Sequence, residues 1–388
     1  MPIYHTLGDI PRKRHTVFPK KNGDGIHHEE LMGTYGFDGA SSLLYHLHPP
    51  TTVLKERQLQ IVDWEADPEP HVRMRHFRLF DLPKGGSPVL NRIPVLYNNH
   101  VAVSFVQPDK SDDFFFRNSQ GDELVYIAEG EGVLESIYGD LPYHAGDHLI
   151  IHRGILHRFK LGKGPHRYMV FEGTGYFRYP KRYQNDKGQL LEHSPYCERD
   201  IRRPESLQVH DEKGEFKLVI KRQNVLTEAI LGSHPFDVVG WDGYYYPWAF
   251  NINDFEPITG SLHQPPPVHQ SFECERFVVC AFVPRMFDYH PQAIPAPYNH
   301  SNVMSDEMLF YANDQFMSRK GIDMGSLTLH PAGFPHGPQP GKYEGSVGAK
   351  RTEEIAVMMD TFDPVKIAKA VTQVEDDSYG RSWIDNIE

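Results

Sequence analysis

Short apolar runs broken by glycine and proline recur along the chain: HVAVSFVQ (100–107), ELVYIAEG (123–130), HLIIHRG (148–154), FVVCAFVP (277–284) and SLTLHPAG (326–333). Each has the length and the β-branched and aromatic content of a strand. The 32 glycines and 31 prolines lie between such runs all along the chain. This pattern predicts an all-β chain of the sandwich or barrel type with few short helices. One helix is predicted at DPVKIAKAVTQV (363–374), where Asp363 caps, Pro364 takes the first helical position, and Val365, Ile367, Ala368, Ala370 and Val371 supply an apolar face.

The runs fall into two similar sets. The first reads GDELVYIAEGEG (121–132) and then AGDHLIIHRGILHRF (145–159); the second reads SDEMLFYANDQF (305–316) and then MGSLTLHPAGFPHGP (324–338). In each, an acidic pair opens a strand, and a Gly-led strand ending in His follows, with another His in the turn beyond. The match pairs Glu123 with Glu307, His152 with His330, and His157 with His336. Two tandem barrels explain it most simply. The expected division is an N-terminal β-rich segment packing on the core (1–95), a first barrel (96–180), a polar connection (181–235), a second barrel (236–345) and a C-terminal segment with the helix (346–388). The aromatic stretch FDVVGWDGYYYPWAF (236–250) is expected to pack beside the second core or to form a wall of a substrate pocket.

Composition adds a charge argument. At 388 residues and a net charge of −12, the chain lacks the basic face that nucleic-acid phosphates require. The N-terminus has no apolar signal-peptide core, and nowhere does an apolar run approach the roughly 18 residues of a membrane span. The expectation is a cytoplasmic protein without nucleic-acid or membrane partners. Three cysteines (Cys197, Cys274, Cys280) form no CxxC knuckle. The compositional anomaly is 23 histidines, the residue type that most often ligates metals and moves protons near neutral pH.

The acid-led strand, the Gly-Asp turn and the final His resemble the cupin motif pair, so the chain resembles a bicupin. APYNHSNVMSDEM (296–308), SLTLHPAGFPHGP (326–338) and GSLHQPPP (260–267), with PRKRHT (11–16), EELMGTYGF (29–37) and SSLLYHLHPPT (41–51), resemble the homogentisate 1,2-dioxygenase family in its shorter bacterial branch. The resemblance implies ring cleavage of homogentisate to maleylacetoacetate in tyrosine and phenylalanine catabolism. It also implies Fe(II) as cofactor, dioxygen and a small aromatic as substrates, and a homo-oligomer, a trimer or dimer of trimers.

His300 precedes Asp306 and Glu307 by six and seven residues, and His336 follows a further strand. Two imidazoles and one carboxylate can occupy one face of an octahedral metal and leave open positions, whereas a closed zinc site needs four ligands. The first repeat favours Glu307 as the acid; an ungapped comparison with the family puts it at Asp306. Strand alternation turns these neighbours to opposite faces. In the first repeat Phe116 stands where His300 does and Asn118 where Asn302 does, so that barrel is expected to lack a complete metal site. By resemblance, His330 lies beside the metal and offers a hydrogen bond to oxygen or substrate, and His263 serves as base for a substrate hydroxyl. His269 is the alternative to His263 as a substrate-facing imidazole, and Tyr298 is a candidate pocket wall. The pair His46 and His48 lacks an acid and third His at matching spacing and is expected to pack or to contact another subunit.

Overall fold

The computed structural model describes residues 3–69 and 71–384. It is mostly strand; its one α-helix among the described residues is Lys342–Gly345, and none is long and apolar enough to cross a membrane. In the first half, a seven-stranded sheet runs in the order Gly139–Tyr143, Gly132–Ser136, Leu156–Leu161, Phe115–Asn118, Lys213–Arg222, Val225–Ser233, Val53–Ile61. An eight-stranded sheet accompanies it, with Asp147–Ile151, Asp122–Glu129, Arg167–Gly173 and Val101–Val106 at its centre. Leu134 and Phe159 from the first sheet share one buried cluster with Leu124 and Val170 from the second. Asp122–Glu129 is nearly wholly buried, as its continuous apolar run LVYIA (124–128) foretells.

The second half is built on a six-stranded sheet in the order Gln270–Cys274, Phe277–Phe282, Ala356–Thr361, Asp306–Tyr311, Ser326–His330, Arg75–Arg78. Shorter pairings accompany it: Arg285–Met286 with Arg351–Thr352, and a bridge between His300 and His336. Met308, Phe310 and Leu327 belong to the same apolar cluster as the first half, with the Phe310 ring 6.1 Å from Phe105. The duplicated all-β architecture thus shares one large core, and a smaller cluster of Cys280, Leu309, Tyr311, Ile322, Met358 and Tyr379 forms a separate apolar group in the second half.

Strand pairing redraws several expected boundaries. The polar stretch 181–235 contains the hairpin Lys213–Arg222 and Val225–Ser233, whose first strand pairs in parallel with Phe115–Asn118. Within 236–250, Val238–Gly243 joins an N-terminal sheet with His5–Gly8, Asp38–His46 and His28–Tyr35, and Trp248–Asn251 pairs with Asp147–Ile151. The backbone of this aromatic segment thus pairs with the first half, while its Trp248 and Phe250 rings lie 5.4 and 5.7 Å from Phe272 of the six-stranded sheet, beside the second core as expected. Ala356–Thr361, beyond the expected end of the second barrel, lies between Phe277–Phe282 and Asp306–Tyr311. The helix expected over 363–374 is instead a short pairing of Lys366–Ile367 with Tyr97 and Leu96, then a 3-10 helix at Lys369–Val374. The sheet edge at Leu96 captures the backbone, and tertiary pairing overrides a short helix that is marginal by itself.

Candidate metal centre

His300 and His336 come from two chain approaches joined backbone to backbone: each N–H donates to the other residue's carbonyl at 2.9 Å. Gly337 permits this, since a Cβ there would lie 2.1 Å from Asn299 Oδ1 and 2.8 Å from its Cα. The two imidazoles are oriented alike. The Nδ1–H of His300 donates to the Tyr298 carbonyl at 3.3 Å, and Nδ1 of His336 lies 3.5 Å from the Phe334 carbonyl. Both therefore turn Nε2 inward as a lone pair.

Glu307 is the acid that meets them. Its Oε2 lies 3.5 Å from His300 Nε2 and its Oε1 3.3 Å from His336 Nε2. One ligand atom from each of the three residues falls within 4.8 Å of the others. Asp306 points the other way, accepting the Ala332 N–H at Oδ1 and the Val365 N–H at Oδ2, both at 2.8 Å. Strand alternation therefore selects Glu307 and leaves Asp306 as a clamp on two loops.

The donor set suits a cation on two further grounds. His336 Nε2 is buried without a hydrogen-bond partner, an arrangement native interiors avoid. Asp360 lies directly across from Glu307 on the paired strand, with Oδ1 buried and unpartnered. Burial, and then the charge of Glu307, push the Asp360 carboxyl up to about 7. Burial disfavours charge on Glu307 too, yet the imidazoles of His300, His330 and His336 hold it well below the usual carboxylate range. Among the described residues no Lys or Arg forms a salt bridge with either acid. Arg319, the buried cation nearby, directs Nη1 to the carbonyls of Gly337 and Ser318.

The remaining candidates divide. His330 is fully buried, with Nδ1 2.7 Å from Glu307 Oε1 and Nε2 3.0 Å from the Tyr379 hydroxyl. Both nitrogens are occupied, so the expected hydrogen bond to oxygen or substrate has no atom to make it. The pairing of His152 with His330 is also off by one residue: His330 opposes Glu307, whereas Ile151 opposes Glu123 and His152 bonds Asp122. The second strand is one residue shorter between its leading Gly and its His. His269 is 8% exposed and stacks on Phe282; burial, then Arg285, push it down to about 3, so it is a packed neutral imidazole rather than a substrate-facing one. His263 stands half-exposed with Nδ1 3.0 Å from Asp288 Oδ2, 5.2 Å ring to ring from Tyr298, which in turn faces His300 at 6.4 Å. Because a carboxylate only accepts, Nδ1 of His263 donates and Nε2 remains free.

Sequence reasoning missed Asp360, Tyr379, Arg319 and Trp383. A signal for Asp360 existed: YMVFEG (168–173) and AVMMDT (356–361) form a third matched strand with an acid, Glu172 or Asp360, next to its end. The first-half counterpart of the centre contains Glu123, Glu172 opposite it, His157, and Phe116 paired with His157 where His300 pairs with His336. There Arg92 donates to both oxygens of Glu123 at 2.8 and 2.9 Å, and Lys221 Nζ meets Glu172 at 2.5 Å. His46, expected only to pack or to meet another subunit, lies buried between Asp237 at 2.7 Å and Glu30 at 3.1 Å.

Comparison with known proteins bears on the whole chain. A model of the homogentisate 1,2-dioxygenase N-terminal region matches residues 94–252. A putative dioxygenase of Saccharolobus solfataricus is 43% identical, over 99% of this chain and 99% of its own length. The homogentisate 1,2-dioxygenase of Caenorhabditis elegans is 25% identical over 94% of this chain and 90% of its own, and that of Nitrobacter hamburgensis 25% identical over 70% and 63%. Among solved structures, a cupin 2 conserved barrel protein from Leptotrichia buccalis overlaps 78% of this chain and 100% of its own at TM-score 0.34 and 9% identity.

Proposed function

The chain belongs to the homogentisate 1,2-dioxygenase family and is a dioxygenase; from that premise we propose that it uses iron(II) to convert homogentisate to maleylacetoacetate in tyrosine and phenylalanine catabolism. The observation that carries the reading is the convergence of His300, Glu307 and His336 within 4.8 Å. Iron(II) held by these three would supply open positions where phenolate and dioxygen are brought together and ring electrons reach oxygen.

The chain's own groups supply the rest. His263, held by Asp288, presents a free Nε2 to a substrate hydroxyl and takes its proton; the carboxylate stabilises the resulting imidazolium. Tyr298, between His263 and His300, offers its ring as a wall against which an aromatic substrate lies. Leu262, Val303, Met304 and Phe334, all exposed, adjoin the site residues in the chain and suit an aromatic ring better than a sugar or a nucleotide. The family resemblance extends the reading to a cytoplasmic homo-oligomer.

The test is oxygen uptake by iron(II)-reconstituted protein given homogentisate, with His336→Ala as control. Uptake matched by a ring-opened product and lost in the variant is the expected result. The rival reading is the same chemistry on another dihydroxy aromatic. Bound iron without homogentisate turnover, alongside turnover of gentisate or another dihydroxy aromatic, would select that rival. Metal binding with no oxygen uptake on any ring would point to a cupin isomerase or binding protein.

A further inference from the structure

The segment from Lys369 to Trp383 lies across the six-stranded sheet at the end that carries Ser326–His330. Glu375 salt-bridges the buried Arg75, and the Asp376 N–H donates to the His76 carbonyl at 2.8 Å. Arg75 and His76 belong to the strand paired with Ser326–His330. From this anchorage three contacts reach groups next to the candidate ligands. The Tyr379 hydroxyl meets His330 Nε2 at 3.0 Å. The Trp383 indole N–H donates to the Gly337 carbonyl at 3.2 Å, the same carbonyl that takes Arg319 Nη1 at 2.6 Å. Gln339 Nε2 donates to Ser382 Oγ at 2.5 Å.

The hydrogen-bond roles in this chain of groups are fixed by chemistry. The Glu307 carboxylate can only accept, so His330 must place its proton on Nδ1 and donate to Oε1. A neutral imidazole carries a single N–H. Its Nε2 is then a buried lone pair, and the Tyr379 O–H is the donor that satisfies it. Without that donor, Nε2 would have to take the proton or stay unpaired. Either change loosens the bond that orients Glu307.

We infer, resting on the metal reading above, that Tyr379–Trp383 is a positioning element of the metal centre: Tyr379 fixes the His330–Glu307 hydrogen bond, and Trp383 with Arg319 holds the backbone beside His336. None of these side chains is a ligand. Partners behind ligands commonly change metal affinity about 10- to 100-fold when removed. Coupling is reciprocal, so metal binding should also order this segment.

The experiment loads wild type, Tyr379→Phe and Trp383→Phe with cobalt(II), then follows the visible cobalt spectrum, the rate of metal loss to EDTA, and amide exchange over 376–384 with and without metal. The expected result is roughly 10-fold or faster metal loss and a shifted spectrum in Tyr379→Phe, a smaller effect in Trp383→Phe, and slower exchange over 376–384 in loaded wild type. A lower melting temperature with unchanged spectrum and release rate would show a merely structural hydroxyl and overturn the inference, as would exchange indifferent to metal. Wild type that binds no cobalt would instead sink the metal reading itself, and this inference with it.

Discussion

In the first barrel Glu123 faces Glu172 across paired strands, and Arg92 and Lys221 bring two positive charges to them. In the second, Glu307 faces Asp360 in the same register, and no lysine or arginine among the described residues pairs with either. The imidazoles correspond as well: His157 directs Nδ1 to the carbonyl two residues back, as His336 does, and leaves a buried Nε2 unpartnered. One scaffold thus presents two acids and an inward imidazole twice. The first copy neutralises its acids with resident side chains. The second adds His300 where the first has Phe116 and has no resident cation on its acids among the described residues, which is what the proposed metal centre needs. Burial disfavours charge on Glu123, but Arg92 holds its carboxyl down to about 2; without a resident cation, Asp360 rises to about 7. A buried carboxylate needs a partner, and the kind of partner decides whether the barrel is structural or catalytic.

The largest effect expected from this contrast is on activity. His336→Ala or Glu307→Ala should lower iron-dependent oxygen uptake by on the order of 10³-fold or more, by removing one of three ligands. His157→Ala, the matching change in the first barrel, should leave turnover within about twofold, since it touches no reacting group. Oxygen-electrode rates for the three variants side by side check this.

Stability gives the converse. Arg92→Met strands Glu123 in the interior and should cost on the order of 3–5 kcal/mol, read as a lowered urea midpoint. Iron content per chain should stay at the wild-type value in whatever fraction remains folded. A metal-free Arg92→Met protein would mean that the barrels are not independent in the way their charges suggest.

Metal should stabilise the chain through the second barrel alone. At a free metal concentration of about 1,000 Kd the gain is roughly 4 kcal/mol by mass action. The melting temperature of wild type and of His157→Ala should therefore rise together with metal concentration, while that of His336→Ala stays flat.

The smallest effect concerns pH. Burial opposes charge on His46, but hydrogen bonds to Asp237 and Glu30 raise it from 6.5 to about 9. A group whose folded pKa is raised contributes stability that is complete below its unfolded value and fades as pH climbs through the folded one. The stability gap between wild type and His46→Gln should thus be full below about pH 6.5, shrink above it, and be nearly gone past pH 9. A gap that widens with rising pH would contradict the ion-pair reading.

The two barrels were legible in the sequence because a duplicated motif records both of them, and the substitution of Phe116 for His300 was visible as a break in one copy. The choice of Glu307 over Asp306 was only half legible. Alternation says one of two neighbours faces inward, but it takes the loop N–H groups of Ala332 and Val365 to show which one is already engaged. Arg92, Asp360 and Tyr379 were hidden for a different reason. Their partners lie 31, 53 and 49 positions away in the chain, and no local pattern marks a contact made by strand pairing or by a returning segment. The helix expected over 363–374 failed likewise, its local signals outweighed by a sheet edge contributed by Leu96 and Tyr97.

The most direct test counts metal. Wild type, His157→Ala and His336→Ala would each be reconstituted with iron(II), freed of excess, and analysed for iron per chain. The predicted result is one, one and none. Two irons in wild type, or loss of iron in His157→Ala with retention in His336→Ala, would contradict the assignment of the centre to the second barrel.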